Sequence, residues 1–168
     1  LSHFHMTDIE GPDHVALMEW LCAAKIGGDA NIGKGIYTHF LDDEGMVRAD
    51  FTAFRMADRI RMVNGADAGP RDYHYMRRVA QDKGFDVTIT DVAEKFVTIG
   101  IWGPNARVNL AKVVEDPDGL SKENFPFAAI KPVRIAGKDV SAFRISYVGE
   151  QGWELHMAYE DGLAVWDA

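Results

Sequence analysis

The chain has 168 residues, of which 47% are hydrophobic and 26% are charged, and its formal net charge is -8. This composition is that of an ordinary globular domain and excludes a collagen-like, low-complexity or coiled-coil protein. The single cysteine excludes an intramolecular disulfide and a CxxC zinc site, and the excess of acidic residues, 26 against 18 basic, argues against nucleic acid as a partner.

The first half of the sequence predicts strands joined by two helices. A Gly-Pro-Asp start at residues 11–13, followed by apolar residues at helical spacing up to Cys22, predicts the first helix. The second begins at Gly69 and ends before Gly84, which suits the left-handed position after a helix. Strands are predicted at residues 1–10, 36–41, 47–54, 59–64 and 85–91.

The second half predicts more strands, again in runs connected by tight turns. They are expected at residues 96–102, 131–135, 140–148 and 153–157. Helices are expected after Gly103 and over residues 160–168, with a linker at residues 115–124. Because the strands follow one another without strict alternation with helices, we predict the α+β class with antiparallel sheets.

Membrane attachment and secretion are not expected. The apolar runs are much shorter than the roughly 20 residues of a membrane-spanning helix, and the first residues lack the pattern of a secretory signal. We therefore predict a cytoplasmic protein, or a mitochondrial matrix protein if the source is eukaryotic. Both ends cut through regular elements, which predicts a fragment of a longer chain, truncated at both ends.

Two carboxylates stand out from the predicted elements. Asp50 is placed by strand alternation on the polar face of the strand at 47–54, in the same row as Arg48. Glu150 lies in a glycine-rich turn between Tyr147 and Trp153, where aromatic faces and an acceptor would suit a flat heterocycle with adjacent N–H groups. Solvated surface acids would give the same patterns, so the residues alone leave both interpretations open.

Other candidate sites have weaker support. The glycines and lysine at residues 33–35 lack the spacing of a phosphate-binding loop. His3 and His5 would share one face of a strand but have no third ligand, so no metal site is predicted. Cys22 lies on an apolar helical stripe, as a buried and unreactive thiol does.

A set of segments in fixed order then suggests a family. They are Ile36-Tyr-Thr, Gly45-Met-Val-Arg-Ala-Asp-Phe-Thr, Met62-Val-Asn64, Gly103-Pro-Asn-Ala-Arg107 and Ser146-Tyr-Val-Gly-Glu-Gln-Gly-Trp-Glu-Leu155. Together they resemble the folate-binding region of the aminomethyltransferase family, which includes the T-protein of the glycine cleavage system. Within this family, the motifs of this chain are most similar to those in the C-terminal folate regions of dimethylglycine and sarcosine dehydrogenases and oxidases.

The resemblance implies the T-protein folate-binding fold. A ferredoxin-like part would comprise about residues 9–95, and a Greek-key part would combine residues 1–8 with 96–168. The family's FAD domain and C-terminal barrel domain would be absent from this chain, which has no Gly-x-Gly-x-x-Gly motif.

The resemblance also implies a function and site residues. The expected reaction is tetrahydrofolate-dependent transfer of a one-carbon unit from an N-methyl amine, such as dimethylglycine or sarcosine, to give 5,10-methylenetetrahydrofolate. Asp50 matches a carboxylate beside the reacting folate nitrogen, Glu150 an acceptor for pterin N–H groups, and Tyr37, Asn64 and Tyr147 positions that line the folate site.

The cofactor implied is tetrahydrofolate, with FAD only in the longer parent chain. The implied partners are the amine-derived one-carbon donor and an FAD-containing domain or subunit. Two alternative functions are a non-enzymatic folate-binding module and a folate-dependent demethylase that gives 5-methyltetrahydrofolate.

Overall fold

The computed structural model describes residues 4–168, which form two compact units. The first unit extends to Ala93, and the second comprises Glu94–Ala168. Each unit has its own antiparallel sheet and its own hydrophobic core. The predicted α+β class with antiparallel sheets is confirmed.

The first unit has a sheet with the strand order β2-β3-β4-β1-β5. Its strands are β1 (Phe4–Glu10), β2 (Lys34–Leu41), β3 (Val47–Arg55), β4 (Arg59–Gly65) and β5 (Thr88–Asp91). Its helices are α1 (His14–Leu21) and α2 (Gly69–Lys83). Pro70 lies in the first turn of α2, where its missing N–H costs nothing, and Gly84 ends the helix with a φ of 74°.

Both helices of the first unit pack on one face of this sheet. Strand β3 alternates as the sequence predicts, since Ala49, Phe51 and Ala53 are buried while Asp50 is exposed. The shared core consists of Ile9, Leu17, Met18, Leu21, Ile26, Phe40, Ala49, Phe51, Ala53, Ile60, Met62, Met76 and Ala80. Asp50 therefore lies on the face opposite the helices.

Arg48 does not share that face with Asp50. The register of the β2–β3 pair shifts after Phe40, which leaves Arg48 as the extra residue of a bulge on β3. Its guanidinium carbon lies 4.1 Å from the ring centroid of Tyr75 on α2. The prediction that Arg48 and Asp50 stand in one row is wrong, because the bulge interrupts the alternation of side chains.

The second unit has a sheet with the strand order β6-β9-β8-β7. Its strands are β6 (Phe96–Trp102), β7 (Ile130–Ile135), β8 (Lys138–Phe143) and β9 (Gly152–Ala158), and its helices are α3 (Ala106–Leu110) and α4 (Gly162–Asp167). Its core uses one face of the sheet, including Trp153, Leu155 and Met157. The strand predicted over 140–148 ends at Phe143, because the following residues leave the sheet as a loop before β9.

Residues 4–8 differ from the expectation that residues 1–8 join the second part, and residues 1–3 lie outside the described residues. Strand β1 pairs along its whole length with β4 and also pairs with β5, so residues 4–8 belong to the sheet of the first unit. The paired residues lie 49 to 84 positions apart in the chain, and local patterns do not encode such pairing. Within residues 4–168, every helix is too short or too polar to cross a lipid bilayer.

Candidate functional site

The first candidate surface is formed by Tyr37 and Asp50 on neighbouring strands of the first unit. The Tyr37 hydroxyl donates a hydrogen bond to Oδ2 of Asp50 at 3.0 Å. His39 lies directly opposite Asp50 in the β2–β3 register, and its ring meets the Tyr37 ring edge to face with centroids 5.3 Å apart. The structure therefore brings together two of the predicted site residues and adds His39 beside them.

The contact with Asp50 favours the neutral form of Tyr37. The hydrogen bond to Asp50 and the charge of that carboxylate raise the pKa of Tyr37, since ionisation would place two negative groups together. Tyr37 therefore remains a hydrogen-bond donor and orients the carboxylate. An exposed, oriented carboxylate can stabilise positive charge that develops on a bound molecule.

Asn64 lies on the other face of the same sheet. It is buried, and its Nδ2 donates to Oδ2 of Asp72 on α2 at 2.9 Å. Met62, two positions earlier on β4, belongs to the core beneath the helices, so Asn64 shares that face. The structure thus does not bring Asn64 to Tyr37 and Asp50, and it leaves the buried Oδ1 of Asn64 without a hydrogen-bond partner.

Tyr147 and Glu150 lie in the loop between β8 and β9 of the second unit, and both are exposed. Glu150 lines a cavity of about 280 Å³ together with Arg144 and Gln151. The ring of Tyr147 meets the ring of Trp102 edge to face, with centroids 5.7 Å apart and planes at 90°. The loop therefore presents an acid and an aromatic side chain at the end of the second sheet.

A buried carboxylate, Glu154, follows this loop on β9. It pairs in register with Gly100 on one side and with Phe143 on the other, so these three residues share a sheet face. The Trp102 ring covers Gly100, because a Cβ added there would lie only 2.3 Å from its Cη2. Glu154 is thus a carboxylate with an indole ring beside it, and Tyr147 lies at the edge of that ring.

The Glu154 carboxylate takes part in a buried polar chain. Its Oε2 lies 3.2 Å from Nε2 of His156, and Nδ1 of His156 lies 2.8 Å from the Thr98 hydroxyl. All three side chains are buried. Buried polar groups in such chains hold each other in defined orientations.

Sequence reasoning missed Glu154, although a signal was present. Trp153, Leu155 and Met157 alternate with Glu154 and His156, which marks a polar second face on β9. Such a face is usually solvated, and only the tertiary structure shows that this one is buried. Within residues 4–168, no group of three His, Cys, Asp or Glu side chains could hold a metal ion, and His3 lies outside those residues.

Comparison with known proteins identifies the family to which this chain belongs. Residues 1–168 match the GCVT N-terminal domain, and the chain therefore belongs to that family. A crystal structure of glycine cleavage system aminomethyltransferase T from Bartonella henselae has the same fold, with a TM-score of 0.79 at 23% identity, over 99% of this chain and 43% of that one. The expected aminomethyltransferase-type family and T-protein fold are confirmed.

Similar proteins include two kinds of enzyme. The chain is 31% identical to human mitochondrial dimethylglycine dehydrogenase over 169 residues, and 31% identical to mouse mitochondrial sarcosine dehydrogenase over 182 residues. Each match covers 100% of this chain and 19% of the relative. An aminomethyltransferase of Thermotoga petrophila is 27% identical over 100% of this chain and 44% of its own length. The chain thus spans about a fifth of the dehydrogenases it matches.

Proposed function

We propose that this chain is the tetrahydrofolate-binding domain of an enzyme that transfers one-carbon units from N-methyl amines. The amine would be dimethylglycine, sarcosine or a similar compound, and the product would be 5,10-methylenetetrahydrofolate. Membership of the family and the names of its similar proteins support this proposal. Two mitochondrial relatives also support a matrix location if the source is eukaryotic.

The observation that carries the proposal is the hydrogen-bonded pair of Tyr37 and Asp50. Tetrahydrofolate supplies two nitrogen nucleophiles, and their reaction with formaldehyde or an iminium replaces two N–H bonds by N–C bonds and releases water or the amine. Positive charge develops on the methylene unit during this condensation, and Asp50 is suited to stabilise it electrostatically. Tyr37 holds the carboxylate in one orientation, which limits reorganisation during the step.

The loop and strand of the second unit supply acceptors for a heterocycle. A pterin carries an amino group and a ring N–H on one edge, and a carboxylate can accept both hydrogen bonds. Glu150 is exposed, whereas Glu154 is buried and already oriented by His156. Tyr147 and Trp102 offer aromatic surfaces beside these acids.

Oxidation of the amine lies outside the residues described here. In the proposed enzyme, an FAD-containing domain or subunit would supply the two-electron oxidation that converts the N-methyl amine into an iminium, the one-carbon donor. The partners of this chain are then the amine-derived one-carbon unit and that flavin domain or subunit.

The test uses the complete gene product and its variants Asp50→Asn and Tyr37→Phe. Removing the carboxylate charge should slow formation of 5,10-methylenetetrahydrofolate by about 100-fold or more. Affinity for 5-formyltetrahydrofolate, measured by calorimetry, should change little, because Asp50 acts mainly on the transfer step. Tyr37→Phe should give a smaller loss, since the carboxylate stays but is less oriented.

Glu150→Gln and Glu154→Gln test the acceptor residues. Each should weaken 5-formyltetrahydrofolate binding without changing the product, because an amide accepts fewer hydrogen bonds and carries no charge. Unchanged affinity in one variant removes the pterin role of that residue. A wild-type protein that binds no folate overturns the proposed function, and folate binding without turnover would support a non-enzymatic module instead.

A further inference from the structure

We propose that Thr98 and His156 are positioning residues that orient Glu154 for hydrogen bonds with the pterin. This inference rests on the proposed function, because it explains how Glu154, one of the proposed pterin acceptors, is held in position. Its basis is the chain of contacts from the Thr98 hydroxyl through both ring nitrogens of His156 to Glu154.

The three residues come together through sheet register. Thr98 on β6 stands directly opposite His156 on β9, and Glu154 lies two positions before His156 on the same strand. Their side chains therefore project from one face of the sheet, opposite the core that contains Leu155. Their burial holds the side chains in a low-dielectric environment, where polar contacts are strong and misaligned groups are costly.

With Glu154 ionised and His156 neutral, we assign a direction to each hydrogen bond. An ionised carboxylate only accepts, so His156 donates from Nε2 to Oε2 of Glu154 across 3.2 Å. In the neutral ring, Nδ1 is then an acceptor, and the Thr98 hydroxyl donates to it across 2.8 Å. The hydroxyl thereby selects the tautomer whose proton points toward Glu154.

Loss of the Thr98 hydroxyl would change which atom of the His156 ring faces the Glu154 carboxylate. Without the Thr98 hydroxyl, His156 can carry its proton on Nδ1 and present the Nε2 lone pair to the carboxylate. Two acceptors would then face each other, and Glu154 would turn away from its present orientation. The carboxylate would lose the preorganised geometry that a bound heterocycle requires.

Thr98→Val is the central variant, because it removes the hydroxyl and keeps the branched shape of the side chain. In the complete gene product, we expect the Kd for 5-formyltetrahydrofolate to rise by about fivefold, the effect of one hydrogen bond. Thr98→Ser keeps the donor and should restore affinity to within about twofold. Ser141→Ala is the matched control, since Ser141 lies opposite His156 on its other side.

A spectroscopic measurement separates positioning from a merely structural role. The ¹⁵N chemical shifts of the His156 ring should show a protonated Nε2 in the wild type and a mixture of tautomers in Thr98→Val. A wild-type ring protonated at Nδ1, either alone or together with Nε2, overturns the inference, as does a Thr98→Val protein with wild-type affinity. If Thr98→Val fails to fold, His156→Gln serves in its place, because the Gln amide can still donate to Glu154 and has no tautomers. The His156→Gln protein should bind folate more tightly than His156→Ala. Equal affinities of these two variants contradict the inference.

The outcomes also separate this inference from the proposed function. A wild-type protein without folate affinity refutes the proposed function. If the wild-type protein binds folate, Glu154→Gln binds it more weakly and Thr98→Val binds it with wild-type affinity, then only the proposed roles of Thr98 and His156 are refuted.

Discussion

Substitution of Gly100 by alanine tests whether the indole beside Glu154 is part of a ligand site. An added Cβ would lie 2.3, 2.6 and 2.7 Å from three carbons of the Trp102 ring, well inside van der Waals contact. The ring must therefore move away from the strand. That movement would disturb the hydrogen bond from Trp102 Nε1 to the Ile145 carbonyl, now 3.1 Å, and the edge contact with Tyr147.

The magnitude follows from these contacts. Overpacking of this kind costs about 1–3 kcal/mol, and loss of the indole hydrogen bond adds about 1 kcal/mol. The lower flexibility of alanine in the unfolded chain offsets about 0.4–1 kcal/mol of this loss of stability. We therefore expect Gly100→Ala to lower the free energy of unfolding by about 1–4 kcal/mol, together with a clear loss of folate affinity.

Urea unfolding and calorimetric titration with 5-formyltetrahydrofolate measure the two effects. Gly137→Ala is the control, because Gly137 has a φ of 72° and no atom within 4 Å of an added Cβ. That variant should lose about 1 kcal/mol of stability through backbone strain and keep its folate affinity. The reasoning about the Trp102 surface is refuted if Gly100→Ala binds folate as the wild type does.

Two further predictions concern the first unit. Burial, with a smaller contribution from the charge of Glu19, raises the pKa of Cys22 to about 12 from a usual 9.0. Alkylation at pH 8 should therefore be about 1000-fold slower in the native than in the unfolded protein. The free energy of unfolding should also fall as the pH rises from about 9 toward 12, since the thiol of the unfolded chain loses its proton first. Rapid native labelling would contradict this. The buried pair in which Arg61 donates to Asp8 at 2.7 and 2.8 Å predicts that Arg61→Met costs about 3 kcal/mol in urea unfolding, because Asp8 would keep only the more distant Arg59 at 3.4 Å. The double variant Asp8→Leu/Arg61→Met should recover part of that loss, and a double variant less stable than Arg61→Met would show that the buried charge is not the cause.

Much of the fold could be predicted from the sequence, because its signals are local. The alternation of Ala49, Phe51 and Ala53 with polar residues records the geometry of a half-buried strand. Glycines and prolines mark the helix ends, as Gly84 does after α2. The ordered motifs also predict the family, which the match over residues 1–168 confirms.

The candidate site was less accessible, because its geometry depends on contacts between distant residues. Tyr37 and Asp50 were singled out separately, and their hydrogen bond depends on the register of β2 and β3. Asn64 matches a motif, yet its strand turns it toward the helix-covered face and Asp72. Their roles in folate binding remain predictions, with the variants above as their tests.

By itself, the sequence determined most of the elements, the core face of β3 and the family of this protein. Periodicity suffices for this, because a helix or strand repeats its side-chain directions along the local chain. Only the tertiary structure decided that Arg48 turns away from Asp50 and that Glu154 is buried while Glu150 is exposed. Register shifts and the burial of a second sheet face depend on residues far apart in the chain, whose pairing no local pattern records.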